Sequence, residues 1–200
     1  LPTIYNVSTL KPTGGDYSGN SGLASWVAAT AGDLSAAGEV LDVYEGTYTI
    51  GPVAIWGASN TSGTRFRVVR ARPGAVSRPV FAGAGDVFGI ALNESYAALH
   101  DVAIRYQGAS NWWGFVAAVL IGGANCAVVG CEIGPVGNAD DPSWGIYSYG
   151  ADAAVANTWV HDVFPAESSS VGIWNDAGSM RCYNLTVDST GGIGLKAGGG

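Results

Sequence analysis

The sequence is poor in charged residues, methionine and cysteine. Of its 200 residues only 12% are charged, one is methionine and three are cysteine, whereas 48% are hydrophobic. This amount of apolar material excludes a disordered chain and is enough for one large core. The cysteines, Cys126, Cys131 and Cys182, are too few for a disulfide scaffold, and their spacing fits no zinc site. We therefore expect buried thiols, no bound metal and no cofactor.

Basic residues are also scarce. Nine lysines and arginines stand against sixteen acidic residues, which gives a net charge of −7. This charge repels nucleic-acid phosphates and anionic lipids, and no apolar segment approaches the ~18 residues that span a bilayer. We expect neither nucleic acid nor a membrane as partner. Five arginines nevertheless cluster, as an anion-binding patch or as the solvated face of a strand: Arg65, Arg67, Arg70, Arg72 and Arg78.

What the sequence does contain is an internal repeat. Four segments can be superposed: Leu99–Ile104, Val128–Ile133, Val155–Val160 and Cys182–Val187. Their last residues are 29, 27 and 27 positions apart. A second set of apolar residues lies 14 positions before each of these ends: Ile90, Val119, Ile146 and Ile173. Two strands at a fixed offset, with insertions elsewhere, are typical of the coils of a β-helix.

Each position of the repeat has its own chemistry. The first, fourth and last residues of the segments are almost all apolar, so we expect them to point inward as continuous ladders about 4.8 Å apart. The third residues are Asp101, Gly130, Asn157 and Asn184. These types tolerate a left-handed backbone, which predicts a tight corner where stacked asparagines bond to each other.

The sequence therefore predicts an all-β protein, a single-stranded right-handed parallel β-helix (solenoid) with a short N-terminal capping helix. Residues 1–37 form the N-terminal segment, with the helix in Ser21–Leu34, where Leu23, Trp26 and Val27 have helical spacing. Residues 38–200 form the coils, starting with Val40–Ile50. A coil restarts near Gly192, and we expect the coils to continue beyond residue 200 or to be capped by a partner.

Several segments resemble the pectin-lyase-like right-handed β-helix superfamily. They are VYEGTYTI at 43–50, which follows a helix with a tryptophan, GTRFRVVRARPGA at 63–75, and later coils with a Gly-Ile pair. The resemblance extends from about Asp16 to the end. The superfamily includes polysaccharide lyases, glycosidases and phage tailspike or other virion proteins. The resemblance implies the fold, and it leaves the activity open because one scaffold carries many functions.

The best candidate site is a lateral aromatic surface. If Ile146 and Ile173 point inward, Tyr147 and Trp174 point outward from adjacent coils, with Tyr149 close by. Such rings are expected to form a flat platform for a glycan or a contact for a protein partner, which Trp112 and Trp113 extend; the alternative is that they only pack under loops. Asp152, Asp162 and Asp176 are weaker candidates for catalysis, since the sequence shows no shared column for them.

These observations favour a non-enzymatic component of a bacteriophage virion, such as a fibre, spike or capsid-surface protein that binds a receptor or glycan. The expected location is the virion or the extracellular space. The expected partners are assembly subunits, including further copies of the chain, and a glycan. The alternative is a polysaccharide depolymerase, a lyase or glycosidase, on the same scaffold.

Overall fold

The structure, a computed structural model, is a parallel β-solenoid of about 5 turns. It describes residues 5–59, 61–85, 87–108, 116–137, 142–164, 170–176, 179–188 and 192–198. In the first half, the elements are β1 (Tyr5–Lys11), β2 (Tyr17–Ser18), α1 (Gly22–Ala29), β3 (Gly32–Asp33), β4 (Gly38–Val43), β5 (Thr47–Ile50), β6 (Val53–Ile55), β7 (Ala58–Ser59), β8 (Arg67–Ala71), β9 (Val80–Gly83), β10 (Phe88–Leu92) and β11 (Ala97–His100). They continue with β12 (Ala103–Tyr106), β13 (Val116–Ile121), β14 (Ala127–Val129), β15 (Glu132–Val136), β16 (Ser143–Ser148), β17 (Ala153–Ala156), β18 (Trp159–His161), β19 (Val171–Asn175), β20 (Met180–Tyr183), β21 (Thr186–Asp188) and β22 (Ile193–Ala197).

Three sheets form the walls of the solenoid. In spatial order the first sheet contains β2, β1, β4, β8, β11, β14, β17 and β20. The second sheet contains β22, β19, β16, β13, β10 and β6, and the third contains β21, β18, β15, β12, β9 and β5. All three sheets are parallel, so the predicted parallel β-helix is confirmed. Strand β1, within the predicted N-terminal segment, pairs with β4 of the first coil.

The predicted interior ladders are present. Ile104, Ile133, Val160 and Val187 are successive strand partners in the third sheet. Ile90, Val119, Ile146 and Ile173 are successive partners in the second sheet, and Leu99, Val128, Val155 and Cys182 in the first. Except for Val187 and Cys182, which lie in the last described coil, all these residues are buried. The 14-residue offset therefore reflects stacking of whole coils.

The predicted left-handed corner separates the first sheet from the third. Asp101, Gly130, Asn157 and Asn184 have φ angles of 56°, 67°, 51° and 47°. The Asn184 side chain donates a hydrogen bond of 2.9 Å to the side-chain oxygen Oδ1 of Asn157, as expected for stacked amides. The small polar residue types at this position are thus required by the backbone.

Helix α1 covers one end of the core, with Leu23, Trp26 and Val27 buried as predicted. It is shorter than the predicted range, because it ends at Ala29 and Gly32 already belongs to β3. Gly32 has a φ of 139°, which a helix cannot accommodate. Ser21 occupies the N-cap position, but its side chain makes no capping hydrogen bond.

Arg67 contradicts the expectation of a solvated arginine face, since it is completely buried. Its guanidinium donates hydrogen bonds to the carbonyl oxygens of Trp56 and Val27, to the Thr30 hydroxyl and to the Glu94 carboxylate. It also lies 5.0 Å from the centre of the Trp26 ring. Burial lowers the pKa of Arg67, and the Glu94 carboxylate opposes this effect. One charged side chain thereby joins the capping helix to the coils.

The other arginines of the cluster are only partly buried. Arg70 forms an ion pair of 2.7 Å with Asp42, and Arg72 forms one of 3.1 Å with Glu45. Both carboxylates lie on or just after β4, one coil before the arginines on and after β8. Arg70 and Arg72 therefore fit the solvated strand face better than the anion-binding patch, because acidic neighbours already match their charges.

The expectation of buried thiols is confirmed for Cys126 and Cys131 and wrong for Cys182. All three are free. Cys182 occupies the position of the interior ladder next to Val155, but it lies on β20, the edge strand of the first sheet, and is exposed there. Burial of a repeat position thus depends on a neighbouring coil on both sides.

Candidate functional site

Four aromatic side chains gather on the outer face of the second sheet. Tyr147 on β16 and Trp174 on β19 are strand partners, each directly after an interior isoleucine. Successive side chains of a strand point to opposite faces, so both rings lie outside the core. Tyr149 follows β16 and is 48% exposed, and Trp144 completes the group. We call Trp144, Tyr147, Tyr149 and Trp174 the aromatic face.

Trp144 was missed by the sequence interpretation, because simple alternation from Ile146 would place it inside. The structure places Gly145 toward the interior instead, where an added Cβ would collide with Val160. Two consecutive inward positions shift the preceding residue to the outer face. Trp144 packs there with Ala117 and Val171 in a cluster separate from the main core, and Tyr147 and Trp174 pack against it. The sequence signal that could have identified Trp144 was the glycine directly before each interior isoleucine, Gly145 before Ile146 and Gly172 before Ile173.

The rings do not form the flat platform that was expected. The Trp144 and Trp174 rings meet edge to face, with centroids 4.5 Å apart and planes at 81°. Tyr147 lies 5.4 Å from Trp174 at 60°, and Tyr149 lies 5.8 Å from Tyr147 at 50°. Edge-to-face and tilted contacts are the favoured geometry between aromatic rings. The side chains therefore pack on one another, and Trp144 is only 7% exposed.

Charged groups lie at the margin of the aromatic face. The Lys196 ammonium lies 3.9 Å from the centre of the Trp174 ring, close enough for a cation–π interaction. The Tyr147 hydroxyl donates a hydrogen bond of 3.2 Å to the Asp176 carboxylate. Burial raises the pKa of Tyr147, and this neighbouring carboxylate adds to the effect. Within the described part of the chain, the margin thus presents one cation and one anion.

Asp152 and Asp176 lie in the turns between the second and first sheets on neighbouring coils, whereas Asp162 lies between the third and second sheets. Asp176 follows β19 and belongs to the margin just described. Asp152 precedes β17 with a φ of 55°, and Asp162 follows β18 with a φ of 49°. Aspartate is one of the few residues that tolerate this left-handed conformation, so the backbone accounts for both positions. The Asp162 carboxylate accepts a hydrogen bond of 2.9 Å from His161 when Nδ1 carries the proton.

Two further candidates, Trp112 and Trp113, lie outside the described residues. Within the described ranges, no group of three or more histidine, cysteine, aspartate or glutamate side chains could hold a metal ion. No helix there is long and apolar enough to cross a membrane. No protein-family model matches the chain, and neither the curated proteins nor the solved structures contain a match to it.

Proposed function

We propose that this chain is a non-enzymatic assembly subunit whose copies associate side by side through the aromatic face. The observation that carries the proposal is an apolar cluster on the outside of the second sheet, separate from the core and formed by aromatic residues of neighbouring coils. Tyrosine and tryptophan are enriched at the centres of protein interfaces. A rigid solenoid wall presents them at a fixed spacing.

Ring geometry supports a protein partner over a sugar at this face. A pyranose stacks best on an open ring plane, whereas these rings are tilted by 46° to 81° against each other. Lys196 also covers part of Trp174. Side chains of a second protein can fit between tilted rings, as they do in a core. A second copy of the chain is the simplest partner, since most soluble oligomers are symmetric homo-oligomers.

Charge supports association at this face in particular. The whole chain has a net charge of −7, so two copies repel each other at long range. Among the described residues, the margin of the aromatic face carries one charge of each sign, Lys196 and Asp176. Self-association through this face should therefore become stronger at higher salt, because salt screens the long-range repulsion and leaves apolar contacts intact.

The same proposal includes the setting of the chain. We propose that it is a fibre, spike or capsid-surface component of a bacteriophage virion and lies outside the cell. This part rests on the resemblance to the pectin-lyase-like β-helix superfamily, in which virion proteins occur. The stacked, extensively hydrogen-bonded coils suit a mechanical role outside the cell. Purified particles of the source phage should contain the chain, which mass spectrometry of their proteins would test.

Sedimentation of the purified chain over a range of concentrations tests the assembly role. We expect reversible association that weakens at least about tenfold in Tyr149→Ala and in Trp174→Ala. The matched control is Trp56→Ala, since Trp56 is 64% exposed and lies on the groove beside α1. A monomer up to roughly 1 mM, or equal weakening in the control, would contradict the proposal.

Trp174→Ala and two aspartate variants test the other two functions. If the aromatic face binds a glycan, Trp174→Ala abolishes binding to immobilised glycans while the mass of the protein stays unchanged. If the chain is a depolymerase, polysaccharides become shorter on incubation, and Asp162→Asn and Asp176→Asn lower the rate. Either result would replace the assembly role.

A further inference from the structure

A charged groove runs along the outer face of the third sheet, away from the aromatic face. Its volume is about 400 Å³, within the range of small-ligand sites. The lining residues include Thr47, Ser77, Arg78, Arg105 and Glu132. They come from successive coils, because β5, β9, β12 and β15 are neighbours in the sheet. The groove therefore has a rigid floor.

Glu132 lies among three cationic or potentially cationic groups and is out of hydrogen-bonding distance of all of them. The distances to its carboxylate are 3.7 Å from Arg78, 3.9 Å from Arg105 and 3.6 Å from His161. A direct N–H···O hydrogen bond would measure about 2.7–3.2 Å. Both arginines are about half exposed, and Arg78 is anchored through a hydrogen bond from its Nε to the Gly130 carbonyl oxygen.

The combination of donors and acceptor selects the ligand class. A guanidinium only donates hydrogen bonds and a carboxylate only accepts them. A simple anion would satisfy the arginines but would be repelled by Glu132. A hydroxyl group can donate to Glu132 and accept from an arginine at the same time, so a ligand with neighbouring hydroxyl groups satisfies the whole set.

An exposed indole lies one coil away from Glu132. Trp159 on β18 is the strand partner of Glu132 on β15, and it is 43% exposed. Its ring stacks on His161, with centroids 4.0 Å apart and planes at 25°. The His161 ring is held in turn by Asp162, 2.9 Å from its Nδ1. The indole is thus supported on one side, whereas the rings of the aromatic face are packed against each other.

We propose that the groove and Trp159 form a saccharide-binding site, in which a pyranose ring stacks on the indole and its hydroxyl groups bridge Glu132 and the two arginines. Asp162 holds the His161 ring, and this ring supports the Trp159 indole. Asp162 and His161 are therefore positioning residues for the stacking surface. The site is independent of the assembly role proposed for the aromatic face, because it lies on another wall of the solenoid.

Binding to an array of short neutral, uronic-acid-containing and sialylated oligosaccharides tests the site. We expect the unmodified chain to bind at least one of these oligosaccharides. Trp159→Ala and Glu132→Gln should each weaken that binding at least about tenfold, with the fold checked by circular dichroism. Trp56→Ala is the matched control, since it removes an exposed indole elsewhere, and Tyr149→Ala controls for the aromatic face. Both controls should bind as the unmodified chain does.

Any of four results would overturn the proposal. The first is no retained oligosaccharide at about 1 mM. The second is binding that Trp159→Ala and Glu132→Gln leave unchanged. The third is displacement of the sugar by inorganic sulfate at equal concentration, which would make the groove a simple anion site. Loss of sugar binding in Tyr149→Ala alone would also exclude this groove and would assign the sugar to the aromatic face. Self-association is measured separately, so either proposal can fail while the other stands.

Discussion

Replacing Arg67 by methionine should destabilise the protein far more than the same replacement three residues later in the strand. Arg67 is completely buried with four hydrogen bonds and lies 3.0 Å from Glu94, whose side chain is also buried. Removing one partner of a buried ion pair leaves the other charge without compensation, at a cost of about 3–5 kcal/mol. We therefore expect Arg67→Met to lower the free energy of unfolding by about 4 kcal/mol.

Arg70→Met is the matched control. Both arginines lie on β8 and each pairs with one carboxylate, but the Arg70 side chain is partly exposed in its ion pair with Asp42. A solvent-exposed pair contributes at most about 1 kcal/mol. Methionine keeps the apolar length of either side chain, so the comparison isolates burial of the charge.

Urea unfolding followed by tryptophan fluorescence measures the difference. With a slope of about 2 kcal/mol per molar urea, the midpoint should fall by roughly 2 M for Arg67→Met and by less than about 0.5 M for Arg70→Met. Adding Glu94→Gln to Arg67→Met should recover part of the loss, because the amide is uncharged and its oxygen can still accept the hydrogen bond from the Ala58 N–H. Equal midpoints for the two arginine variants, or no recovery in the double variant, would refute the reasoning.

Three further predictions concern the corner, the reactivity of the thiols and the pH dependence of stability. Asn157→Ala should cost about 1–2 kcal/mol of unfolding free energy, because alanine at a φ of 51° is strained and the hydrogen bond from Asn184 is lost, whereas Asn157→Gly should relieve the strain; equal urea midpoints for the two variants would contradict this. Burial raises the pKa of Cys126 to about 11 and of Cys131 to about 12, so a thiol reagent at pH 8 should modify Cys182 alone in the folded protein, and any reactive thiol in folded Cys182→Ser would contradict this. Because the unfolded chain loses these thiol protons from about pH 9 while the folded chain keeps them, the free energy of unfolding should fall as the pH rises from 9 toward 12, as urea midpoints across that range would show.

The repeat made most of the solenoid predictable. Ile104, Ile133 and Val160 could be aligned from the sequence alone, because each coil must place an apolar residue against the same residue of the next coil. The left-handed corner was predictable for a similar reason, since only a few residue types tolerate that backbone. Both signals are local and repeat in every coil.

The candidate sites were only partly predictable. Alternation correctly placed Tyr147 beside Trp174 on the outer face, but it could not identify Trp144 as their neighbour because Gly145 interrupts the alternation. The groove on the third sheet was missed altogether. Arg78, Arg105 and Glu132 are 27 residues apart at each step and belong to no common motif. They meet because the coils stack, and a single coil shows nothing of the groove.

The sequence by itself determined the coil, its inward ladders and its tight corner, because these follow from residue types that recur at fixed spacing. Only the tertiary structure decided which polar side chains become buried and which rings face each other. Arg67 illustrates the difference: it reads as one member of an exposed arginine cluster, yet helix α1 and Glu94 enclose it. Burial and ring orientation depend on neighbours that are distant in the sequence, and these are set only when the coils and the capping helix pack together.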